Sequence, residues 1–470
     1  MRRLQLSLTA LPLVVLAGCA MGPNYKRPQV AMPPEYRGAP AAGADAASSL
    51  ADTKWQDLFP DATLNQMVSA ALERNFDLRI AAERVEEARA QLGVTRSDQF
   101  PELTAQAGFV AARSSSLGAN TFVPAGTKIQ SSYTSLGAAL SWELDIWGRL
   151  RRQTEAARAR YFASEEGARA VRISLIAEVM EAYFQLLEQD LELEISHKTQ
   201  GIAGDSLKLV ALRRQQGAAS GLDLRQAEQL LYTASAQSAA AEHNIAQSEN
   251  LLSYLQGAAP EAQARGRKLE EIPVPAQLPS GLPASLIERR PDIREAEQNL
   301  VAANAEIGAA KALYFPQISL TAFAGAQSRS LLDIVSGPAR VYNVAPGALQ
   351  SVFNAGRIRN QVRFTEAQQR ELLVTYQRSI YSALREVADA LVSFDRLREQ
   401  RHQQELLVTT LEDTVRLSEL RYRGGLDSYL QVLDAQRQLF VGQLALAQLR
   451  LQERVSVVQL YRALGGGLQV

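Results

Sequence analysis

Tyr133-Thr-Ser-Leu-Gly-Ala-Ala-Leu-Ser-Trp142-Glu-Leu-Asp-Ile-Trp-Gly148-Arg149 carries the junction between two structural periods. Over its first ten residues Thr134, Leu136, Ala138, Leu140 and Trp142 alternate with Tyr133, Ser135, Gly137 and Ser141, the period of a strand with one apolar face. Beyond Gly148 the period changes. Ile173, Ile176, Met180, Tyr183, Leu187 and Leu191 step by three or four residues along one helix face, and no Pro intervenes before about Arg213. Such a helix extends roughly 90 to 100 Å at 1.5 Å per residue. Upstream, Leu103, Ala105, Ala107, Phe109 and Ala111 alternate with Thr104, Gln106 and Gly108, and the segment from Ser114 to Gly126 has loop composition. The spacing predicts a β-hairpin over 103–142 feeding a very long helix.

This unit is written twice. A shift of 215 positions carries Glu73-Arg74, Asp77, Arg79, Ala88, Ala90, Gly93 and Phe100-Pro101 onto Glu288-Arg289, Asp292, Arg294, Ala303, Ala305, Gly308 and Phe315-Pro316. A shift of 208 then carries Gly148-Arg149, Leu212-Arg213, Gly217, Ser220, Leu222, Ala227 and Gly257 onto Gly356-Arg357, Leu420-Arg421, Gly425, Ser428, Leu430, Ala435 and Gly465. The offset changes inside the hairpin, where a surface loop tolerates a length difference. Expected boundaries are 62–257 for the first repeat, 258–286 for a Pro/Gly-rich connection and 287–470 for the second repeat. Each repeat holds a helix (about 62–98 and 291–313), a hairpin (103–142 and 317–353) and a long helical pair. Pro346 weakens the last strand.

Met1-Arg2-Arg3 followed by Leu4 to Ala17 has the layout of an export signal, expected over 1–18 and too short to span a bilayer. Leu16-Ala17-Gly18-Cys19 matches a lipobox, in which Cys19 takes a diacylglycerol. Cys19 is the only cysteine, so neither a disulfide framework nor a cysteine metal site accounts for it. Residues 19–61 read as a lipid-anchored tether leading into the body. Fifty basic residues balance fifty acidic ones, which removes any global pull toward nucleic acid. No later apolar run approaches the roughly 18 residues of a membrane helix, so a membrane crossing falls to the strands. Four strands cannot close a barrel, for which roughly eight is the minimum, and open edges are not left in lipid. The strands are therefore expected to be shared among chains: a dimer gives eight and a filled interior, a trimer twelve and a channel.

These residues resemble the TolC-like outer membrane efflux proteins, in the lipoprotein branch serving resistance-nodulation-division pumps. The resemblance rests on Gly22-Pro-Asn-Tyr-Lys-Arg-Pro28, Trp142-Glu-Leu-Asp-Ile-Trp-Gly-Arg149, Leu286-Ile-Glu-Arg-Arg-Pro-Asp-Ile293 and Phe315-Pro-Gln-Ile-Ser-Leu320. It rests also on Arg421-Tyr-Arg-Gly-Gly-Leu-Asp-Ser-Tyr-Leu-Gln-Val-Leu-Asp-Ala-Gln-Arg437 and Tyr461-Arg-Ala-Leu-Gly-Gly-Gly467, in this order along one chain. It implies a homotrimer with a 12-stranded membrane β-barrel and a long α-helical barrel in the periplasm of a Gram-negative bacterium. A periplasmic membrane-fusion adaptor and an inner-membrane pump are the implied partners, small drug-like compounds the cargo, and no cofactor is implied beyond the lipid. It further implies a periplasmic gate in which Leu430 gives an apolar ring and Asp434 an acidic ring, with Tyr422 and Asp223 tying neighbouring helix pairs. Gly217, Gly424 and Gly425 mark tips that meet the adaptor. Asp427 departs from relatives that carry a gate Arg there. At the 208 offset Asp434 faces Gln226, so only the second repeat carries this acid.

No enzyme is expected. His197, His243 and His402 show no metal-ligand spacing, and Glu86-Glu87 and Glu270-Glu271 are sequence neighbours that do not face one site on a helix. The alternative is a periplasmic coiled-coil scaffold or adaptor lipoprotein, which shares the tether and helices but has no use for alternating strands.

Overall fold

The computed structural model describes residues 20–39, 49–113, 130–275 and 278–467, so the expected signal peptide, Cys19 and the loop from Ser114 to Gly126 lie outside the described residues. In chain order the elements are α1 (Trp55–Leu58), α2 (Ala62–Arg74), α3 (Phe76–Ser97), β1 (Glu102–Arg113), β2 (Gln130–Leu144), α4 (Arg149–Gln215) and α5 (Gly221–Leu255). They continue with α6 (Leu286–Arg289), α7 (Pro291–Ala312), β3 (Gln317–Ser328), β4 (Arg340–Leu349), α8 (Arg357–Arg423) and α9 (Tyr429–Ala463). Lengths recur in pairs: α3 and α7 have 22 residues, α4 and α8 have 67, α5 and α9 have 35. No described helix is long and apolar enough to cross a membrane.

The chain divides into two compact units. The first comprises Met1–Pro28, Val85–Ala163 and Ala296–Tyr376. Its sheet is antiparallel in the order β1-β2-β3-β4. The register runs Leu103 to Leu140 to Ala322 to Val344 across one face and Thr104 to Ala139 to Phe323 to Asn343 across the other. Period-two alternation on every strand thus yields one apolar face, with Leu103 71% and Phe109 70% exposed, and one face carrying Glu102, Thr104, Ser141, Thr321 and Asn343. Pro346 of β4 pairs with Leu320 of β3; within one chain β4 is an edge strand, the position in which a sheet tolerates a residue without an N–H. Beyond Leu349 the strand ends, short of the 353 expected. Trp142 donates to Gln99 O (3.0 Å), and Trp147 stacks on Phe315 and donates to Pro316 O (2.9 Å), fixing both indoles at strand ends.

The segment expected to be a loose tether starts out docked within this unit. Met21 N donates to Trp147 O, Arg152 donates to Met21 O (3.0 Å) and Asn24 Oδ1 (2.8 Å), and Arg27 grips Glu297 at 2.6 and 2.9 Å. Gly22 and Gly308 permit the approach: a Cβ at Gly308 would lie 2.4 Å from Met21 O. Composition signalled an extended chain; it did not signal the side-chain donors that hold it.

The second unit comprises Gln29–Arg84, Ser164–Glu295 and Gln377–Val470. Its core contains Phe59, Leu64, Ile176, Met180, Tyr183 and Phe184, all essentially inaccessible. Asp61 caps α2 and accepts the Tyr183 hydroxyl at 2.9 Å. The first helix, expected to run unbroken over 62–98, is divided at buried Asn75, whose Oδ1 caps α3 at Leu78 N (3.0 Å) while Nδ2 donates to Leu255 O (2.9 Å). Arg290, at the equivalent place in the second repeat, donates to Ala463 O (3.0 Å), so one residue per repeat satisfies the last carbonyls of its closing helix.

Glu188 of α4 is 1% exposed, and burial, reinforced by the neighbouring Glu192, pushes its carboxyl up to about 8. A folded pKa above the unfolded value means that the fold binds the extra proton, and the associated stability is lost as pH rises from about 4.5 through 8. Glu188→Gln is expected to raise the apparent thermal midpoint by about 5 °C at pH 9 and hardly at pH 5, read by circular dichroism.

Candidate functional site at the helix turns

The α4–α5 and α8–α9 turns lie in the second unit. Gly217 (φ +77°) and Gly425 (φ +72°) adopt the left-handed conformation that ends α4 and α8. Beyond Gly217, Ser220 caps α5 in a capping box: Ser220 Oγ accepts from Asp223 N (3.1 Å) and Asp223 Oδ2 accepts from Ser220 N (2.8 Å) and Oγ (2.9 Å). The equivalent Ser428 has Gln431 three residues on and makes no side-chain cap.

Behind the turns, Ala203 and Val210 of α4, Ala227 and Leu230 of α5, and Tyr429, Val432 and Leu433 of α9 form one buried cluster, with Tyr422 of α8 packed against it. The Tyr422 and Tyr429 rings are 5.5 Å apart, and burial pushes the Tyr429 hydroxyl up. The Arg213 guanidinium sits 4.4 Å from the Tyr422 ring centroid, a cation–π contact joining the end of α4 to the end of α8.

The expected gate residues separate into three environments. Leu430 (48% exposed) and Asp434 stand four residues apart on one face of α9, and the Asp434 carboxylate accepts from Arg437 (3.0 Å) and Gln438 (2.5 Å). Tyr422 is half-buried under Arg213. Asp223 is engaged by Ser220 rather than by the Tyr422 hydroxyl. Asp427 forms a forked ion pair with Arg421 (2.5 and 3.0 Å), which holds its carboxyl below the ordinary value.

Asp427 stands out in the sequence as a departure from relatives that carry a gate Arg, but its pairing with Arg421 and the contact of Arg213 with Tyr422 were not anticipated. The repeat contains the signal: Arg213 corresponds to Arg421, but the position matching Asp427 is Ala219. Deprived of a carboxylate, Arg213 takes an aromatic face.

Residues 67–258 and 282–466 match the family described as outer membrane efflux protein. The chain is 38% identical over 468 residues to the solvent efflux pump outer membrane protein SrpC of Pseudomonas putida, covering 99% of this chain and 98% of that protein. It is 35% identical to the probable outer membrane lipoprotein SilC of Salmonella typhimurium, covering 97% of each. The crystal structure of the open state of the Neisseria gonorrhoeae MtrE outer membrane channel superposes with a TM-score of 0.84 at 30% identity, covering 96% of this chain and 99% of that one. None of these is an enzyme, and the scaffold alternative loses its ground. The chain therefore belongs to the outer membrane efflux protein family.

Proposed function

We propose that the protein is the outer membrane channel of a tripartite efflux pump, a passive exit duct through which an inner-membrane pump expels small molecules. Three copies share a 12-stranded barrel, and their long helices continue it as an α-helical barrel through the periplasm, each chain contributing two repeats. The observation that carries this is the four-stranded sheet: it has one apolar and one polar face, and β1 and β4 leave its two edges unpaired. In a shared barrel the apolar face meets lipid and the polar face lines water. Cys19 carries the lipid, in keeping with a relative named a lipoprotein.

The helix turns are the gate and the adaptor's contact point. Three Leu430 side chains form an apolar ring and three Asp434 carboxylates an acidic one at the narrow end, while Gly217, Gly424 and Gly425 shape the tips that a periplasmic adaptor engages. Relatives carry names referring to solvents, toluene, cations and antibiotics. A water-filled duct needs few cargo-specific contacts, which accommodates such a range.

Planar bilayers test the proposal. Full-length protein extracted in detergent is expected to insert as discrete conducting units, and Asp434→Ala to lower the preference for cations over anions. Failure of both forms to conduct, with the native particle intact, removes the channel assignment.

A further inference from the structure

The start of α8 keeps the cations of its counterpart α4 and loses their carboxylates. At the foot of β2, Glu143 takes Arg149 in a forked pair (3.0 and 2.7 Å), and Arg149 Nη1 donates to Gln153 Oε1 (3.2 Å). Two residues on, Asp145 pairs with Arg151 (3.3 Å) and accepts from Leu150 N (3.1 Å) and Arg151 N (2.8 Å), capping the first turn of α4. The 208 shift carries Glu143, Asp145, Arg149, Arg151 and Gln153 onto Ser351, Phe353, Arg357, Arg359 and Gln361. Both guanidiniums and the amide recur, and both acids are gone. Among the described residues Arg357 and Arg359 have neither an ion pair nor a side-chain hydrogen bond.

Ser351, Arg357 and Gln361 line one 950 Å³ cavity, which lies within the first unit between the first turns of α4, the end of α7 and the first turns of α8. Its two other guanidiniums are already matched, Arg149 to Glu143 and Arg160 to Glu306, so Arg357 leaves one positive charge unanswered. Leu313, Leu349 and Phe364 give the cavity an apolar wall, with Leu349 75% and Phe364 56% exposed. Its size suits a molecule of drug dimensions. Leu349 pairs with Gln317, in phase with Thr321 and Asn343, so the cavity adjoins the polar face of the sheet.

We propose that this cavity binds an amphipathic organic anion, a carboxylate or sulfonate carried on an apolar body, with the acid group held by Arg357 as Glu143 is held by Arg149 and the body against Leu349 and Phe364. The planar guanidinium offers two parallel donors to such a group. Its charge selects against cations, and the apolar wall selects against inorganic ions, which gain nothing from it. The site is complete in one chain, and only its access from the duct rests on the channel reading given above. There it would hold anions transiently at the junction of sheet and helices, a preference opposite in sign to that of an acidic ring at Asp434.

Calorimetric titration of naphthalenesulfonate into the full-length protein in lipid nanodiscs, corrected for protein-free nanodiscs, tests the site. Saturable binding at one equivalent per chain is expected. Arg357→Gln is expected to weaken it roughly 10- to 100-fold, because a hydrogen-bonded charge is removed. Ser351→Glu copies the Glu143–Arg149 pair into the second repeat, an arrangement the fold already contains, and is expected to weaken binding as much; the neutral Ser351→Gln should hardly change it. Naphthylmethylammonium, which has the body without the acid, and sulfate, which has the charge without the body, are expected not to bind. No saturable binding of naphthalenesulfonate, or equal affinity in wild type, Arg357→Gln and Ser351→Glu, overturns the site. Sulfate binding as tightly as naphthalenesulfonate overturns its amphipathic class. Conduction in bilayers is read separately, so each of these results leaves the channel assignment standing.

Discussion

Channels carrying Arg213→Ala are expected to open roughly 10- to 100-fold more often than wild type in planar bilayers. A cation–π contact at a partly exposed site contributes about 0.5–1 kcal/mol. If three copies release together, about 1.5–3 kcal/mol of closing energy is lost, and each 1.4 kcal/mol is a factor of ten. If this ring-face contact holds the tip closed, Tyr422→Phe should stay closed and Tyr422→Leu should leak as Arg213→Ala does. A hydroxyl-based tie between Tyr422 and Asp223 predicts the reverse, with Tyr422→Phe leaking. Asp223→Ala removes a capping box and is expected to cost about 1 kcal/mol of α5 stability with little effect on opening. Single-channel recording of these four variants separates the two closing schemes.

The largest loss of stability is expected at Arg290. It is 8% exposed, holds Asp292 with a forked pair (2.6 and 2.9 Å) and Glu386 at 2.7 Å, and donates to Ala463 O. Burial works against its charge, but Asp292 and Glu386 more than offset this and keep the guanidinium pKa above its ordinary value. Arg290→Ala leaves a helix-terminal carbonyl unanswered and two carboxylates that keep part of their hydration, at a cost of about 2–4 kcal/mol. Asn75→Ala, which removes the neutral counterpart, should cost about 1–3 kcal/mol. Urea titration followed by circular dichroism reads both; equal costs would mean that the ion pairs around Arg290 contribute nothing.

Much of the architecture was legible because two periods and two shifts are written plainly. Alternation over 133–142 and 103–111 located the first hairpin, and stepping along Ile173 to Leu191 located a helix of 67 residues. The break at Asn75 was hidden, since a single residue that caps one helix while reaching across to Leu255 leaves no periodic trace. The site was legible only in outline. Gly217 and Gly425 announce turns, but whether a charged residue there pairs with Asp427, caps a helix as Asp223 does, or covers a ring as Arg213 does depends on distances that periodicity does not carry.

The docked stretch after residue 19 turns a lipid from a leash into a depth gauge. Ala20 abuts Gly148, where β2 has ended and α4 begins, and a Cβ at Gly148 would lie 2.8 Å from Ala20 Cα. A lipid on Cys19, as proposed above, would therefore be attached to the residue preceding one that is docked beside the end of β2. Three such lipids, spaced around the shared barrel proposed above, would hold it level in the inner leaflet and resist both sinking and tilting.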